Sequence, residues 1–254
     1  PSQGIAAANE LEKKILEEGA DTVAMFIAEP VQGAGGVIVP QDDYFKRIRE
    51  ICDAYDVLLV SDEVITGFGR TGRMFGLEHW DVQPDLIQFA KAITSGYFPL
   101  GGIGISDEIA QVMNDSGSPW MHAYTYSSHP VGCAVALAML DIIEKEDFVA
   151  QAQTKGKRML VKLKEALGDH PHVGEVRGLG MMCGVELVKD KASKQMFDAK
   201  DGIGAKVHVE TVKRGMFSRV RGDVYCVAPP IVTGENTIDD IADILGASVR
   251  AVLG

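Results

Sequence analysis

Residues 57–63 read Val-Leu-Leu-Val-Ser-Asp-Glu, an apolar run that ends in two carboxylates. The run shows no alternation of apolar and polar residues, which is typical of a strand buried on both faces. Residues 43–55, just before it, carry apolar side chains at helical spacing, so they predict an amphipathic helix. A helix that leads into a buried strand is the repeating unit of an α/β fold.

Three further apolar runs have the same character. They lie at residues 23–28, 86–90 and 101–105, and residues 5–18 have the period of an amphipathic helix. Helices between such strands favour parallel pairing, so we expect a doubly wound α/β sheet.

The chain changes character in its second half. The period is helical from residue 130 to about residue 167, with a break near residues 144–147. Strand-like segments then follow at 174–188 and 223–227, and the pattern over 238–252 predicts a closing helix. We therefore expect an α/β domain over residues 1–145 and a smaller α+β domain over residues 146–254.

Composition excludes several classes of function. The 254 residues contain 25 Lys and Arg against 36 Asp and Glu, a net charge of −11. So acidic a chain lacks the cations that would displace counterions, and we expect it to bind neither nucleic acid nor an anionic membrane by charge. Its apolar runs are too short to span a bilayer, and residues 1–20 lack the apolar core of a signal peptide.

Cysteine usage favours a reducing compartment. The four cysteines lie far apart, without a Cys-x-x-Cys pair or metal-ligand spacing, so we expect free thiols, no metal site and a cytoplasmic protein. They are Cys52, Cys133, Cys183 and Cys226.

Ligands of open α/β sheets bind beyond the carboxyl ends of the strands, which makes Glu29, Asp62 with its neighbour Glu63, and Lys91 candidate site residues. Lys91 follows the apolar run 86–90. Desolvation would lower the pKa of a lysine there, so that its neutral amine could attack a carbonyl and form a Schiff base. The alternative is a lysine that reaches solvent at the end of a strand.

Asp62 ends the run at residues 57–61, and strand alternation would place it on the same face as Val64. A carboxylate there could hold a protonated pyridine nitrogen, with an attraction of roughly 4 kcal/mol at ~4 Å and an effective dielectric constant of ~20. The alternative is a carboxylate that caps a helix or a turn.

Residues 67–72, Gly-Phe-Gly-Arg-Thr-Gly, match the Gly-x-Gly-x-x-Gly pattern of dinucleotide-binding proteins. That motif must open a helix, and residues 74–80 show no helical periodicity. The pattern therefore argues weakly for a dinucleotide site. The chain contains no Gly-x-x-x-x-Gly-Lys-Ser/Thr motif of nucleoside triphosphatases.

Five stretches, in this order along the chain, resemble the class III (ω-type) aminotransferases, which are fold-type I pyridoxal-phosphate enzymes. The stretches are residues 27–36, 61–72, 89–92, 122–127 and 227–230. The resemblance implies a three-layer α/β/α large domain, represented here by its later strands, and a small C-terminal α+β domain. It also implies pyridoxal 5′-phosphate as cofactor.

The resemblance assigns roles to individual residues. Lys91 matches the lysine that forms the Schiff base and moves the substrate proton, and Asp62 matches the carboxylate that keeps the pyridine nitrogen protonated. Val64 matches the aliphatic residue that packs against the ring. Thr125 matches the hydroxyl that reaches the cofactor phosphate of the neighbouring subunit, which implies a homodimer.

Two positions concern the choice of substrate. Ala34 stands where ornithine- and GABA-type aminotransferases carry a glutamate. Arg219 stands where amine:pyruvate and ω-amino acid:pyruvate transaminases keep a mobile arginine, and Arg221 is near enough to compete for that role. The resemblance therefore implies transfer of an amino group from an amine or ω-amino acid to a keto acid, with pyruvate as the expected acceptor.

Two other functions fit the same residues. A glutamate-semialdehyde-type aminomutase of this superfold would also retain Lys91 and Asp62, and an inactive fragment could serve as a dimerising module. The chain starts at Pro1 and carries no Gly-Ser phosphate loop upstream of Glu29, so we expect the C-terminal portion of a longer protein.

Overall fold

The computed structural model describes residues 2–119 and 121–254. The expectation that this chain is the C-terminal portion of a longer protein rests partly on Pro1, which lies outside the described residues. The chain divides into two compact units. The first comprises Pro1–Pro30, Pro40–Phe68 and Arg73–Glu146, and the second comprises Val31–Val39, Gly69–Gly72 and Asp147–Gly254. The division after Glu146 lies beside the boundary expected from the sequence. Two loop segments well before it nevertheless belong to the second unit.

The first unit is built on a four-stranded sheet. Its strands are β1 (Met25–Ala28), β2 (Leu58–Asp62), β3 (Leu86–Phe89) and β4 (Gly102–Ile105). Its helices are α1 (Gln3–Glu18), α2 (Tyr44–Ala54), α3 (Asp107–Asp115) and α4 (Pro130–Lys145). The strands lie in the order β1-β2-β3-β4.

Strand β4 departs from the expected parallel order. β1, β2 and β3 pair in parallel, whereas β4 runs antiparallel to β3. A parallel connection needs a crossover, usually an α-helix. The segment 90–101 contains only the three-residue 3₁₀ helix Lys91–Ile93, so the chain turns back on itself.

One face of this sheet is covered by helices, whereas within residues 2–119 and 121–254 the other face keeps apolar side chains exposed at its edge strands. α2 packs on β2, α1 packs on α2, and Leu59 of β2 is fully buried. On the opposite face the pairing aligns Ile27, Val60, Leu86 and Ile105 in one row. Ile27 and Ile105 in that row are 49% and 41% exposed, so an apolar sheet face stands open in this chain.

The second unit packs three helices with an antiparallel sheet. Its strands are β5 (Val173–Gly178), β6 (Cys183–Leu187), β7 (Arg219–Arg221) and β8 (Val224–Val227), in the order β5-β6-β8-β7. Its helices are α5 (Phe148–Leu167), α6 (Ile203–Lys213) and α7 (Glu235–Leu253).

The helical break expected near residues 144–147 has a local cause. Asp147 adopts a left-handed backbone with φ 49°, and its Oδ1 accepts a hydrogen bond of 3.2 Å from the Ala150 amide. It thus caps α5 at the residue where the second unit resumes. α5 and α7 are fastened by Arg158, which donates to both carboxylate oxygens of Asp239 at 2.8 and 2.6 Å. None of the described helices is long and apolar enough to cross a membrane.

Candidate active site

Three candidate residues come together at one edge of the first sheet. β1, β2 and β3 are parallel, so their carboxyl ends lie at the same edge. Glu29 follows the last residue of β1, Asp62 is the last residue of β2, and Lys91 lies two residues beyond β3. Asp62 pairs with Gln88 of β3, so the aspartate ends one strand and the turn that carries Lys91 follows the neighbouring strand.

Lys91 begins the short 3₁₀ helix in a left-handed conformation with φ 46°, which costs about 1–2 kcal/mol for a residue with a Cβ. The turn is closed by the Thr94 amide, which donates to the Lys91 carbonyl at 3.2 Å. Strained backbone of this kind is found at functional sites.

Lys91 does not lie in the desolvated environment that the sequence predicts. The side chain is exposed, and within residues 2–119 and 121–254 its ammonium has no hydrogen-bond or ion-pair partner. The apolar face beside it is open in this chain, so nothing described here desolvates the amine. The role of Lys91 in forming a Schiff base stays a prediction.

Asp62 lies on the open face of the sheet, in one row with Gln88 and Ile103. Its side chain is half-buried, and Oδ1 accepts a hydrogen bond of 3.1 Å from the Val64 amide. The expectation that Asp62 and Val64 share a strand face is wrong. β2 ends at Asp62, so strand alternation stops there, and Val64 lies in the following turn.

Glu63 was a candidate beside Asp62, but no role was assigned to it from the sequence. Its carboxylate is buried and accepts hydrogen bonds from residues before and after it in the chain. A carboxylate between two hydroxyl residues, Ser61 and Thr66, at the end of an apolar strand was the available signal. Alternation along the strand showed only that Glu63 points away from Asp62.

The glycine-rich loop at residues 67–72 opens no helix, in agreement with the weak case for a dinucleotide site. Its last four residues, Gly69–Gly72, belong to the second unit, where Arg70 Nη1 donates to the carbonyls of Met181 at 3.0 Å and Pro229 at 2.6 Å. Burial lowers the pKa of the Arg70 guanidinium. This arginine therefore ties the loop to the second unit's own backbone.

Thr125 lies in an exposed turn. The Ser127 amide donates to the Tyr124 carbonyl at 2.9 Å, and the Tyr124 amide donates to Ser127 Oγ at 3.0 Å. Tyr124 and Tyr126, on either side of Thr125, are 71% and 79% exposed. The turn thus presents a hydroxyl between two unburied aromatic rings.

Arg219 and Arg221 both lie on β7 of the second unit and both are exposed. Residues two apart on a strand point to the same face, so the two guanidinium groups share one side of the sheet edge. Val220, between them, points to the other face. The structure therefore leaves both arginines as candidates for a substrate carboxylate.

Ala34 lies in a loop that folds against the second unit. The loop is closed by reciprocal backbone hydrogen bonds between Gln32 and Ile38, at 3.0 and 3.1 Å. Arg177 of β5 donates to the carbonyls of Gly36 at 2.8 Å and Val37 at 2.9 Å. Ala34 itself is exposed and offers only a methyl group.

No group of three or more His, Cys, Asp or Glu side chains in the described part of the chain is arranged to hold a metal ion.

Comparison with known proteins identifies relatives of this arrangement. A putrescine–pyruvate aminotransferase of Pseudomonas aeruginosa is 46% identical over 94% of this chain and 52% of its own length. A probable γ-aminobutyrate transaminase 3 (mitochondrial) of Oryza sativa subsp. indica is 43% identical over 96% of this chain and 48% of its own. The chain thus spans about half the length of the curated relatives it matches.

Solved structures match equally well. A thermostable (S)-enantioselective ω-transaminase from Thermomicrobium roseum superposes with a TM-score of 0.94 at 47% identity, over 98% of this chain and 56% of that one. A transaminase from the marine bacterium Virgibacillus gives 0.95 at 42% identity, over 98% and 57%. The fold-type I class expected from the sequence is confirmed. The family model described as "Aminotransferase class-III" matches residues 2–249, and the chain therefore belongs to the class III aminotransferases.

Proposed function

We propose that the protein to which this chain belongs is a pyridoxal-phosphate-dependent transaminase. It would move an amino group from an amine or ω-amino acid to a keto acid, with pyruvate as acceptor. One observation carries the proposal beyond family membership. Asp62 and Lys91 lie at the carboxyl edge of adjacent parallel strands, where α/β proteins bind their ligands.

The residues at this edge fit the cofactor of the family. Pyridoxal phosphate needs an amine to bind its aldehyde and a carboxylate to face its ring nitrogen. Lys91 offers an exposed amine without a partner among the described residues, on a turn fixed by its own hydrogen bonds. Asp62 offers a carboxylate with one oxygen held by a backbone amide. When bound, the cofactor supplies an electron sink for the charge left at the substrate Cα.

Two residues of this chain then perform the chemistry. The neutral amine of Lys91 takes the proton from the substrate Cα and later returns it, which is general acid–base catalysis. The Asp62 carboxylate keeps a proton on the ring nitrogen, an interaction of roughly 4 kcal/mol at ~4 Å and an effective dielectric constant of ~20.

Pyruvate is proposed as acceptor on the basis of two positions. The loop of Ala34 carries no glutamate there that could pair with an arginine. Arg219, exposed on a sheet edge, is free to bind a keto-acid carboxylate as a bidentate pair and to move away for an amine without one. The relative named for putrescine and pyruvate supports this choice, whereas the relatives named for γ-aminobutyrate support an ω-amino acid donor.

A homodimer is also part of the proposal. The exposed turn around Thr125, between Tyr124 and Tyr126, is suited to contact another subunit and its cofactor phosphate. A cytoplasmic location likewise remains a proposal, based on the four free cysteines.

Borohydride reduction tests the function directly. The protein from the complete reading frame should show a visible absorbance band that borohydride removes, and peptide mapping should find the reduced cofactor on Lys91. Lys91→Ala should lose transaminase activity by several orders of magnitude, since the proton carrier is removed.

Lys194→Ala is a matched control, because Lys194 is also an exposed lysine with a left-handed backbone, at φ 56°. It should keep full activity. Label on another lysine would refute the assignment of Lys91, and a colourless protein would favour the inactive dimerising module.

A further inference from the structure

Glu63 occupies a buried site that the proposed chemistry leaves unused. The residue is 1% exposed. Its Oε1 accepts from Ser61 Oγ at 2.9 Å and the Leu77 amide at 3.2 Å, and its Oε2 accepts from Thr66 Oγ1 at 2.5 Å and the Gly76 amide at 2.8 Å. One side chain thus joins three segments: strand β2, the turn after it and the 3₁₀ helix Gly76–Trp80.

The four donors match an ionised carboxylate. A carboxylate accepts about four hydrogen bonds and donates none, and two hydroxyls with two amides fill that capacity. No basic side chain among the described residues lies within ion-pair distance of Glu63. Among the described residues, the Glu63 carboxylate is therefore held by the dipoles of hydroxyl and backbone amide groups and not by a cation. An apolar residue would serve packing at least as well, so the choice of a charged one points to a positioning role.

Backbone hydrogen bonds of Glu63 connect its buried site to Asp62. The Glu63 amide donates to the Gln88 carbonyl at 2.9 Å, which continues the pairing of β2 with β3 past Asp62. The Glu63 carbonyl accepts from the Gly67 amide at 2.9 Å and closes the turn. Because Glu63 directly follows Asp62, these contacts fix the backbone that carries Asp62 at the end of β2.

We propose that Glu63 is a positioning residue for Asp62: its buried carboxylate locks the end of β2 so that Asp62 faces the ring nitrogen of the cofactor. This inference rests on the proposed function. It predicts that loss of the Glu63 carboxylate weakens cofactor binding and changes the protonation of the bound cofactor, although Glu63 touches neither.

The test compares variants of the protein from the complete reading frame. Glu63→Gln keeps the shape of the side chain but turns an N–H₂ group toward hydrogen-bond donors. Glu78→Gln is the control, because Glu78 lies in the 3₁₀ helix that Glu63 contacts but is exposed, and in the described part of the chain its carboxylate accepts a hydrogen bond only from the nearby Phe75 amide. Readouts are the dissociation constant for pyridoxal phosphate, the pH profile of its visible absorbance band, and the melting temperature.

Glu63→Gln should raise that dissociation constant by about tenfold or more and shift the pH profile, whereas Glu78→Gln should change neither. The double variant with Asp62→Asn gives the sharper result. If Glu63 acts through Asp62, Glu63→Gln adds little to the effect of Asp62→Asn, so the two changes are not additive.

Three results would count against this reasoning. A lower melting temperature with unchanged cofactor affinity and pH profile would make Glu63 a purely structural residue, and so would full additivity with Asp62→Asn. If Glu63→Gln does not fold, Ser61→Ala replaces it, and an unchanged dissociation constant there would overturn the inference. A wild-type protein that binds no pyridoxal phosphate would instead overturn the proposed function and this inference with it.

Discussion

Arg177 holds the loop of residues 31–39 against the second unit, and its removal should destabilise that unit. The side chain is only 13% exposed. Nε and Nη2 donate to the carbonyls of Val37 and Gly36, and Nη1 pairs with Glu186 and, at 2.8 Å, with Glu175. Burial acts to lower the pKa of the guanidinium, but the two carboxylates outweigh it and the pKa is raised. The arginine is therefore charged at every pH of interest.

The contacts set the size of the effect. Each of the two hydrogen bonds from the charged guanidinium to a carbonyl contributes about 1.5–3 kcal/mol to stability. The pair with Glu175, which is 59% exposed, adds ~0–1 kcal/mol. These contributions share one side chain, and the substitution also removes the cost of taking the guanidinium out of water. We therefore expect Arg177→Ala to lower the free energy of unfolding by about 3 kcal/mol.

Calorimetry of the protein from the complete reading frame measures this loss. At about 4 °C per kcal/mol for a unit of this size, the melting temperature of the transition should fall by ~12 °C. Arg177→Lys keeps the charge but not the planar set of donors, so it should recover roughly half of the loss.

Arg214→Ala is the control, because Arg214 pairs with Glu210 at the surface of α6, and it should cause little change. If the Arg177→Ala variant has the same melting temperature as the Arg214→Ala control, the reasoning is refuted. The loop would then be held by other contacts.

Three further predictions concern the cofactor, the substrate and pH. Thr125→Ala should weaken retention of pyridoxal phosphate by about 1.5–3 kcal/mol without lowering the melting temperature, and unchanged affinity in a cofactor titration would contradict its role. Arg219→Ala should raise KM for pyruvate steeply while the half-reaction with a carboxylate-free amine survives. The same pattern in Arg221→Ala alone would move the role to that residue. Burial and neighbouring cations lower the pKa of His170 below its ordinary 6.5, so the unfolded chain takes up a proton first as the pH falls, and stability should decline below about pH 6.5. His170→Gln should flatten that decline in denaturant titrations at pH 5 and 7, and an unchanged slope would show that other groups cause it.

The sequence was sufficient to locate most of the elements and the edge of the sheet that holds the candidate site residues. Apolar runs without alternation predict strands, because the period of a run is a local property of the chain. The residues that end those runs, Asp62 and Lys91, meet at one edge because parallel strands place their carboxyl ends together. The expected direction of β4 was wrong, since strand direction depends on the connecting segment and not on the strand's own composition.

Side-chain surroundings followed from contacts distant in sequence. Glu63 looked like any second acid after Asp62 until the fold brought Gly76 and Leu77 to its carboxylate. Val64 looked like a strand residue until the strand ended before it.

The sequence by itself determined the family and the α/β class, and it selected the candidate amine and carboxylate, because these depend on residue type and on patterns within a few residues. Only the tertiary structure decided that the loops at residues 31–39 and 69–72 belong to the second unit. Arg177 and Arg70 hold those loops through backbone carbonyls. Every residue carries a carbonyl, so no sequence pattern marks which ones an arginine will reach, and only folding brings the partners together.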